Sequence, residues 1–558
     1  MKLNNINKHL AAAALVALAA AAATSCSDAW DDHYSPSGQE GADGSSLMQL
    51  IEADPQLSDF VSVLKATHLF TNNHSNSVTY ADLLASDQTL TVWAPVNGSF
   101  NRDSLLALCQ TAKGDSSVSV HFAQNHIAHN SYNMNSQTDE TVRMLNDKQL
   151  QLTPKALFNA QVVDGAYNKA ASNGLLHVVK DDANYTYNIY EGLTSLGEFS
   201  HIGDFFFHYE QVKLDEDRSV VSGLVDGKKV YSDSVMYRMN LLFNTFDNIS
   251  VEDSTYGMIV PDRETWQPVY DEAKTYFNYG TMAKADSVST YWTSVALISD
   301  LIWNRNRQRT ERDSIFTTSY LGSYNWPYHV YKNPYSSGGY LDPANIKDSL
   351  QCSNGTIFRL RNWPFEKEQI YFKPVITQAE NSSAQLSSET TKCTVASGEA
   401  QADSVSANGF VTINPNPATA DWTATWKVYE NLSGRYDVCA IILPKTVVNP
   451  YSRDFSPNKF EASISYIDEN GDKQTESFNN GGAFYMNDPY HVDTVKIATV
   501  DLPVCAYGQQ DPLVTVTLKC NIKKREQSDY SREMLLDAIY LKPAAAAAPA
   551  KNRKEARK

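Results

Sequence analysis

The spacing of hydrophobic and polar residues changes along the chain and predicts three folded parts. In the first part, apolar residues recur at helical spacing just after Asp54-Pro55, a pair that suits a helix start. Residues 90–96 (LTVWAPV) then form an apolar run that predicts a buried strand, and a second helical pattern follows over 105–108. The apolar positions of the first helix are Leu57, Phe60, Val61 and Leu64.

Short strands complete the first part. Residues 118–128 (VSVHFAQNHIA) are apolar on one face, and residues 142–152 and 161–167 have the composition of strands. Residues 172–180 (SNGLLHVVK) predict a closing strand that is entered through a glycine turn. We therefore predict a mixed helix-and-strand domain over residues 47–185.

The second part repeats the order of the first. Residues 256–266 (YGMIVPDRETW) correspond to the first buried strand and its turn, 295–305 (VALISDLIWNR) to the middle helix, and 353–358 (SNGTIF) to the closing strand. A second, longer copy is predicted over residues 186–375. Its extra length lies in segments 208–250 and 317–345.

From about residue 376 the pattern becomes that of short alternating strands. Residues 461–478 contain two such runs around Glu469-Asn470-Gly471, a hairpin signature. Further strands are predicted at 494–500 and 513–520, before a final apolar run. Regular short strands with turns predict an all-β sandwich over residues 376–543, with a disordered tail over 544–558.

Three motifs of the first part resemble the conserved boxes of fasciclin-type FAS1 domains, in order and in spacing: TVWAPVNGSF (91–100), NHIA (125–128) and SNGLLHVVK (172–180). The resemblance implies two tandem α+β FAS1 domains, the second of them diverged and without the histidine. It also implies an adhesive role, although the family's Tyr-His pair is Asn125-His126 here.

Two segments of the third part, TWKVYENLSGRYDVCAIIL (425–443) and LLDAIYLKP (535–543), are similar to galactose-binding-like domains found as carbohydrate-binding modules. This resemblance implies a jelly-roll-like sandwich that binds a sugar.

The N-terminus has the pattern of a lipoprotein signal. Lys2 and Lys8 precede an Ala/Leu run over 10–23, and Ala-Thr-Ser leads into Cys26. The segment resembles a bacterial lipobox, which implies cleavage after residue 25, lipidation of Cys26 and anchoring to a membrane without spanning it. Acidic residues just after Cys26 resemble the export signal of Bacteroidetes-type surface lipoproteins. We expect an outer-membrane protein that faces the cell exterior, on a flexible tether over 26–46.

Composition restricts the partners. The formal net charge of −17, which becomes −19 once Lys2 and Lys8 leave with the signal, argues against nucleic acid, whose phosphates require clustered Lys and Arg. High aromatic content, with 31 Tyr, 21 Phe and 9 Trp, suits both strand-rich cores and sugar-stacking surfaces. The cysteines other than Cys26 are too sparse for a disulfide scaffold and predict buried thiols or a single bridge. They are Cys109, Cys352, Cys393, Cys439, Cys505 and Cys520.

No motif for catalysis or metal binding is present in the sequence. His-Glu-x-x-His, the Gly-x-Ser-x-Gly elbow and the P-loop are all missing. His126 and His129 lack further ligands nearby, and Asp468 to Asp472 suits a hairpin tip better than a calcium loop. We predict a non-enzymatic protein without catalytic residues, metal or cofactor.

Aromatic residues supply the candidate ligand contacts. In residues 320–340, seven aromatic rings share a Gly/Ser/Pro-rich stretch, which suits glycan or protein contact or, alternatively, a long loop pinned to its own domain by those rings. The candidates from this segment are Tyr324, Trp326, Tyr328, Tyr331 and Tyr335; second-choice candidates in the sandwich are Trp422, Trp426, Tyr485 and Tyr490.

Together these observations predict a surface lipoprotein that captures an extracellular glycan beside an outer-membrane transporter. The alternative is a structural adhesin that binds protein partners at the cell surface. Stacking and hydrogen bonding, without bond breaking, would be the mechanism in either case.

Overall fold

The computed structural model describes residues 44–71, 74–225, 227–307, 310–318, 329–388, 392–400 and 404–545. Cys26 with the signal and most of the tether, and the candidates Tyr324, Trp326 and Tyr328, lie outside the described residues. What the sequence predicts for them stays a prediction.

The first unit, residues 44–185, is built around a four-stranded sheet. The helices are α1 (Leu47–Ala53), α2 (Ser58–Ala66), α3 (Tyr80–Ala85), α4 (Arg102–Leu108) and α5 (Ala112–Val118). The strands are β1 (His68–Thr71), β2 (His74–Thr79), β3 (Leu90–Pro95), β4 (Ile127–His129), β5 (Glu140–Arg143), β6 (Gln149–Leu152), β7 (Ala156–Leu157), β8 (Ala160–Gln161), β9 (Lys169–Ala171) and β10 (Gly174–Val179).

The apolar run of β3 is explained by burial on both faces. The sheet order is β4-β3-β10-β9, and β3 runs parallel to β10. Val92 packs into the core with the helices, whereas Trp93 packs into a second core with the small sheet β5–β8. A strand covered on both sides needs apolar residues at nearly every position. The one polar residue of β3, Thr91, is buried and donates its hydroxyl to the carbonyl of Asn130 at 2.7 Å.

The strand predicted over 161–167 is wrong beyond Gln161. Strand β8 ends there, and Gly165 takes a positive φ of 74° in a turn. Val162 makes only an isolated bridge to Val179. The apolar residues of this segment therefore indicate burial, but they do not form a strand.

The second unit, residues 186–374, has the same sheet order, β16-β15-β20-β19, with β15 parallel to β20. Its helices are α6 (Ile189–Ser195), α7 (Ser200–His208), α8 (Phe243–Phe246), α9 (Arg263–Tyr276), α10 (Ala285–Ile298) and α11 (Lys367–Ile370). Its strands are β11 (Glu210–Leu214), β12 (Val220–Val225), β13 (Lys228–Asp233), β14 (Met236–Asn240), β15 (Tyr256–Pro261), β16 (Ile302–Asn304), β17 (Ser314–Phe316), β18 (Val330–Lys332), β19 (Ile346–Cys352) and β20 (Gly355–Leu360).

An Asn-Gly pair occupies the same place in both units. Asn173 accepts from the backbone N–H of Leu47, the first residue of α1, at 2.7 Å, and Asn354 accepts from the N–H of Ile189, the first residue of α6, at 2.9 Å. Each side-chain amide also donates to two backbone carbonyls. The following glycine starts the parallel central strand in each unit. The repeat predicted from the sequence is therefore a structural repeat.

Two insertions account for the greater length of the second unit. Strands β11 to β14 form two paired ribbons, β11 with β14 and β12 with β13, which we call the arm. Strands β17 and β18 form a third hairpin, which flanks the undescribed residues 319–328. The arm falls within the predicted segment 208–250, whereas the third hairpin begins at Ser314, three residues before the predicted segment 317–345.

The third unit, residues 375–545, is a β-sandwich, as predicted. One sheet has the order β23-β24-β32-β26-β30, with β21 also paired to β32, and the other has the order β22-β25-β31-β27-β28, with β29 also paired to β27. The strands are β21 (Val375–Gln378), β22 (Gln385–Ser388), β23 (Cys393–Glu399), β24 (Gly409–Pro415), β25 (Thr423–Val428), β26 (Gly434–Leu443), β27 (Lys459–Ile467), β28 (Lys473–Phe478), β29 (Tyr485–Met486), β30 (Asp493–Leu502), β31 (Val514–Cys520) and β32 (Met534–Pro543). The predicted hairpin tip joins β27 to β28.

The sandwich and the second unit share one hydrophobic core. The hydroxyl of Tyr279 donates to the carbonyl of Tyr507 at 2.9 Å, and the N–H of Cys505 donates to the carbonyl of Asn278 at 2.7 Å. The first unit has separate cores and meets the second through a buried lysine, Lys148.

Six cysteines fall in the described ranges, and no two of them are joined in a disulfide. Five are buried, and burial raises the pKa of Cys352, Cys505 and Cys520 to about 12. Of the two alternatives left open by the sequence, the described residues show buried thiols.

Candidate functional site

Three of the predicted contact residues in the sandwich are core residues. Trp422, Trp426 and Tyr485 are buried between the two sheets. Their polar atoms are satisfied internally, since Trp422 donates to the carbonyl of Arg532 at 2.7 Å and Tyr485 donates to the carbonyl of Ile497 at 2.6 Å. These rings cannot stack on a ligand, which corrects the assignment made from the sequence.

The described part of the aromatic segment is pinned to its own unit. Tyr331 packs on Tyr340 and Phe365, with ring centroids 4.6 and 5.4 Å apart. Tyr335 is partly exposed, and its hydroxyl donates to Glu311 at 3.0 Å. Burial raises the pKa of Tyr335 to about 12, and the nearby carboxylate of Glu311 is the second cause of this shift. Tyr331 is therefore a packing residue, in agreement with the second interpretation of the segment.

Tyr490 is the one sandwich candidate that the structure places on the surface, with 61% of the residue exposed. Its ring stacks on Phe455 at a centroid distance of 4.7 Å and an interplanar angle of 17°. Stacking on one side fixes the ring and leaves its other face to solvent. Tyr451, in the same loop as Phe455, is 91% exposed.

Hydrogen bonds hold the loop that carries Tyr490. The carboxylate of Asp488 accepts from the N–H of Tyr490 at 2.8 Å and from Nδ1 of His491 at 2.9 Å. The hydrogen bond from His491 lowers the pKa of Asp488. Asn487 ties this loop to the next, because its side chain accepts from the N–H of Asn458 at 2.7 Å. The ring is presented by an ordered loop.

Charged residues lie in the loops that carry the two rings and next to them. Lys445 makes ion pairs with Asp454 at 2.5 Å and with Glu533 at 3.3 Å, close to the loop of Phe455. We call Tyr451, Phe455 and Tyr490 with these groups the tyrosine end of the sandwich. It combines a fixed aromatic face with carboxylates and an exposed imidazole, groups that can hydrogen-bond sugar hydroxyls.

The histidines singled out in the first unit are structural. Nδ1 of His126 donates to the carbonyl of Phe122 at 2.8 Å, and Nε2 accepts from the N–H of Ala183 at 2.9 Å. His177 is also buried, with both ring nitrogens bonded to backbone. Burial lowers the pKa of each histidine to about 4. His129 is exposed on β4.

A buried chain of three charged or polar groups lies near the aromatic segment. Asp300 accepts from Nδ1 of His329 at 2.7 Å, and Nε2 of His329 contacts Nζ of Lys373. Burial lowers the pKa of Lys373 to about 8. Thr317, on the hairpin, donates to Asp300 at 2.9 Å. The cluster ties the ends of the hairpin insertion to the body of the second unit.

Neither metal ligation nor membrane crossing is indicated within the described ranges. His, Cys, Asp and Glu residues there form no group of three or more that could hold a metal ion. Helices of the same ranges lack the combined length and apolar content needed to cross a bilayer.

No protein-family model matches the chain, and no curated protein matches it. Solved structures that match part of it include the CBM22-1-GH10 modules of the Clostridium thermocellum xylanase 10B complexed with xylohexaose, at 12% identity over 30% of this chain and 26% of that chain, with a TM-score of 0.19. Others are a family 35 carbohydrate binding module from Clostridium thermocellum (12% identity, 31% of this chain, 99% of that chain, TM-score 0.18) and a CBM22-1 xylan-binding domain from Paenibacillus barcinonensis (11%, 31%, 96%, 0.19). At these TM-scores the likenesses carry no argument about function.

Proposed function

We propose that this chain is a surface-anchored, non-enzymatic protein that captures extracellular glycan at the tyrosine end of its sandwich. The observation that carries the proposal is the ring of Tyr490, which is fixed by stacking on Phe455 and yet open on its other face. A ring held in place loses little freedom when a sugar stacks on it, so more of the contact energy appears as affinity.

The other parts of the chain fit this role. The lipobox-like N-terminus supports an anchor at Cys26 in the outer membrane, with the chain facing the exterior. We propose that the two repeated units are diverged FAS1 domains, which would hold the sandwich away from the membrane. We also propose that the anchored protein acts beside an outer-membrane transporter that imports the captured glycan.

The test is an affinity-gel and glycan-array screen of residues 27–558 against the Tyr490→Ala variant. Tyr490→Ala should weaken retention about fivefold or more, since one stacking ring contributes on the order of 1 kcal/mol or more and a surface site has few other contacts. Tyr167→Ala, which removes another partly exposed tyrosine from the first unit, is the matched control and should bind like the original chain.

Two outcomes would redirect the proposal. Retention that is unchanged in Tyr490→Ala and disappears in a Trp326→Ala, Tyr328→Ala double variant would move the site to the aromatic segment. Failure of the original chain to bind any polysaccharide would reject glycan capture and leave protein adhesion.

Adhesion to a protein partner is the second candidate function, and the arm favours it. Apolar residues stand exposed along its strands, and Leu224 is 70% exposed. Other exposed residues of the arm are Val212, Val220, Val221, Val230 and Tyr237. Exposed apolar clusters of this kind often mark protein contacts. Crosslinking on intact cells that is lost in Leu224→Glu and kept in Tyr490→Ala would support adhesion through the arm.

A further inference from the structure

Three helices of the second unit enclose a cleft of about 550 Å³. This volume lies within the range of small-molecule sites. Its walls are α7, α9 and α10, each of which lines the cleft with a stripe of residues at helical spacing. The stripes are His201, Asp204, Phe205 and His208 from α7; Arg263, Trp266, Gln267 and Tyr270 from α9; and Ser287, Thr290 and Ser294 from α10.

These stripes differ from ordinary core packing, because they mix aromatic rings with hydrogen-bonding groups. Trp266 and Tyr270 lie with their ring centroids 6.2 Å apart, and Trp266 is also 6.2 Å from the ring of His201. The core of the unit takes the neighbouring positions of α7, since Ile202 and Phe206 are fully buried. One face of α7 therefore packs into the core, and another face lines the cleft.

His201 supplies an unused acceptor at the cleft. Its Nε2–H donates to the carbonyl of Pro261 at 2.9 Å, which leaves Nδ1 as an acceptor. Nδ1 is buried and has no hydrogen-bond partner in the part of the chain that the structure describes. Burial lowers the pKa of His201, so the ring stays neutral near physiological pH. A buried acceptor without a donor costs free energy unless a ligand satisfies it.

The charges at the cleft nearly cancel. Arg263 spends one N–H on the hydroxyl of Ser200 at 2.8 Å and keeps other donors. Asp204 is exposed at the rim, and its carboxylate makes no hydrogen bond or ion pair with another described side chain. Asp286 is paired with Lys274 at 2.8 Å. A strongly charged ligand would meet a charge of its own sign, whereas a neutral one with hydroxyl groups would meet both donors and acceptors.

The corresponding helices of the first unit are closed against each other. Helices α2 and α4 pack directly, and Arg102, the first residue of α4, makes an ion pair with Asp59 at 3.0 Å. Arg263 is likewise the first residue of α9, and His201, like Asp59, is the second residue of its helix. The ion pair that closes the first unit is thus replaced by an arginine and a neutral histidine in the second.

We propose that this cleft is a second binding site, separate from the tyrosine end, for a small neutral sugar of one or two residues. The half-buried ring of Tyr270, beside the buried ring of Trp266, would contact the C–H face of the sugar. The hydroxyls of the sugar would donate to the carboxylate of Asp204 and, once the imidazole turns to expose it, to Nδ1 of His201. The hydroxyls of Ser287 and Thr290 would complete the contacts.

Ligand-observed NMR tests the site, with mixtures of glucose, galactose, xylose, N-acetylglucosamine, lactose and cellobiose as probes on residues 27–558. Two variants fill the cleft, Ser287→Trp at its exposed rim and Thr290→Trp deeper inside. A third, His201→Phe, keeps a ring and removes the acceptor. We expect saturation transfer to at least one probe, and binding weakened about tenfold or more in each variant.

Two controls keep the outcome tied to the cleft. Phe207→Ser changes an exposed residue of α7 that does not line the cleft, and Tyr490→Ala removes the tyrosine end; both should retain the signal. Thermal unfolding identifies any variant that fails to fold, and the exposed Ser287→Trp is the safeguard against that failure. The proposal is overturned if no probe binds, if folded Ser287→Trp and His201→Phe bind as well as the original chain, or if Tyr490→Ala alone removes the signal.

Discussion

At the scale of single residues, two buried histidines make the first unit sensitive to acid. His126 and His177 each donate from one ring nitrogen and accept a backbone N–H on the other, so adding a proton would turn an accepted hydrogen bond into a clash of donors. Both folded-state pKa values, about 4, lie below the ordinary value of 6.5. The unfolded chain therefore binds more protons between these values.

We predict that stability is full above about pH 6.5 and falls as the pH drops toward 4, with each histidine contributing a loss of about 2 kcal/mol near pH 5. Urea unfolding of the first unit at about pH 7 and pH 5 measures this. In His126→Gln the pH dependence should shrink by roughly half, whereas His129→Gln, at an exposed position, should leave it unchanged. Equal pH dependence in both variants would contradict the assignment.

Single residues also show where the sequence was ambiguous. Trp426 and Tyr490 are both aromatic residues of a strand-rich domain, and composition does not separate them. The alternation does: Ala424, Trp426 and Val428 occupy every second position of β25 and face the core. Tyr490 follows a proline in a loop, outside any strand. Successive side chains of a strand point to opposite faces of the sheet. Once a strand is known, this alternation distinguishes core rings from surface rings.

At the scale of elements, the Asn-Gly pair is the sequence motif that best predicts a part of the fold, namely the start of the parallel central strand in each of the first two units. Gly174 and Gly355 have φ of +145° and +152°, and a Cβ on either would lie 1.8 or 2.0 Å from a backbone oxygen of the neighbouring parallel strand. Only glycine allows this approach. The motif was visible in both halves of the sequence because both halves meet the same steric demand.

We predict that Gly355→Ala destabilises the chain by about 3 kcal/mol, because strain and overlap with the carbonyl of Tyr256 act together. Gly338→Ala is the matched control: its φ is +73°, but nothing lies within 4 Å of the added Cβ. That control should cost about 1 kcal/mol from backbone strain alone. Chemical denaturation compares the two, and equal losses would show that overlap plays no part.

The cleft was not predicted, for a reason that also lies at this scale. Stripes such as His201, Asp204 and His208 have the polarity of an exposed helix face, and Trp266 has that of a core residue. Helical periodicity describes one helix at a time and does not reveal that three mixed stripes converge. The aromatic segment, residues 320–340, poses the same difficulty. Neither helical nor strand periodicity predicts which of its rings reach solvent.

At the scale of the whole molecule, the distribution of the cores predicts two unfolding transitions. The sandwich and the second unit share one continuous core, whereas the first unit has its own two. Lys148 joins the first unit to the second, with Nζ 2.7 Å from both Glu191 and Glu252 and the side chain almost fully buried. Removing the lysine would leave two neighbouring carboxylates without their cation.

We predict that Lys148→Ala costs about 3–5 kcal/mol and lowers the transition of the first unit in differential scanning calorimetry. The larger transition of the shared core should move less. Lys155→Ala, at an exposed position of the same unit, is the control and should change stability by less than about 0.5 kcal/mol. A single transition in the original chain that stays single in Lys148→Ala would contradict separate cores.

The position of the last strand has a consequence for biosynthesis. Strand β32 lies inside its sheet, paired with β24 and β21 on one side and with β26 on the other. Synthesis runs from the N-terminus, so this sheet has a gap at its centre until residues 534–543 have emerged. The first unit can fold while the chain is still being synthesised, but the sandwich, and the second unit that shares its core, must wait for these ten residues. A chain truncated before residue 534 would therefore lose more than one strand: it would consist of a folded head followed by unfinished polypeptide open to proteases.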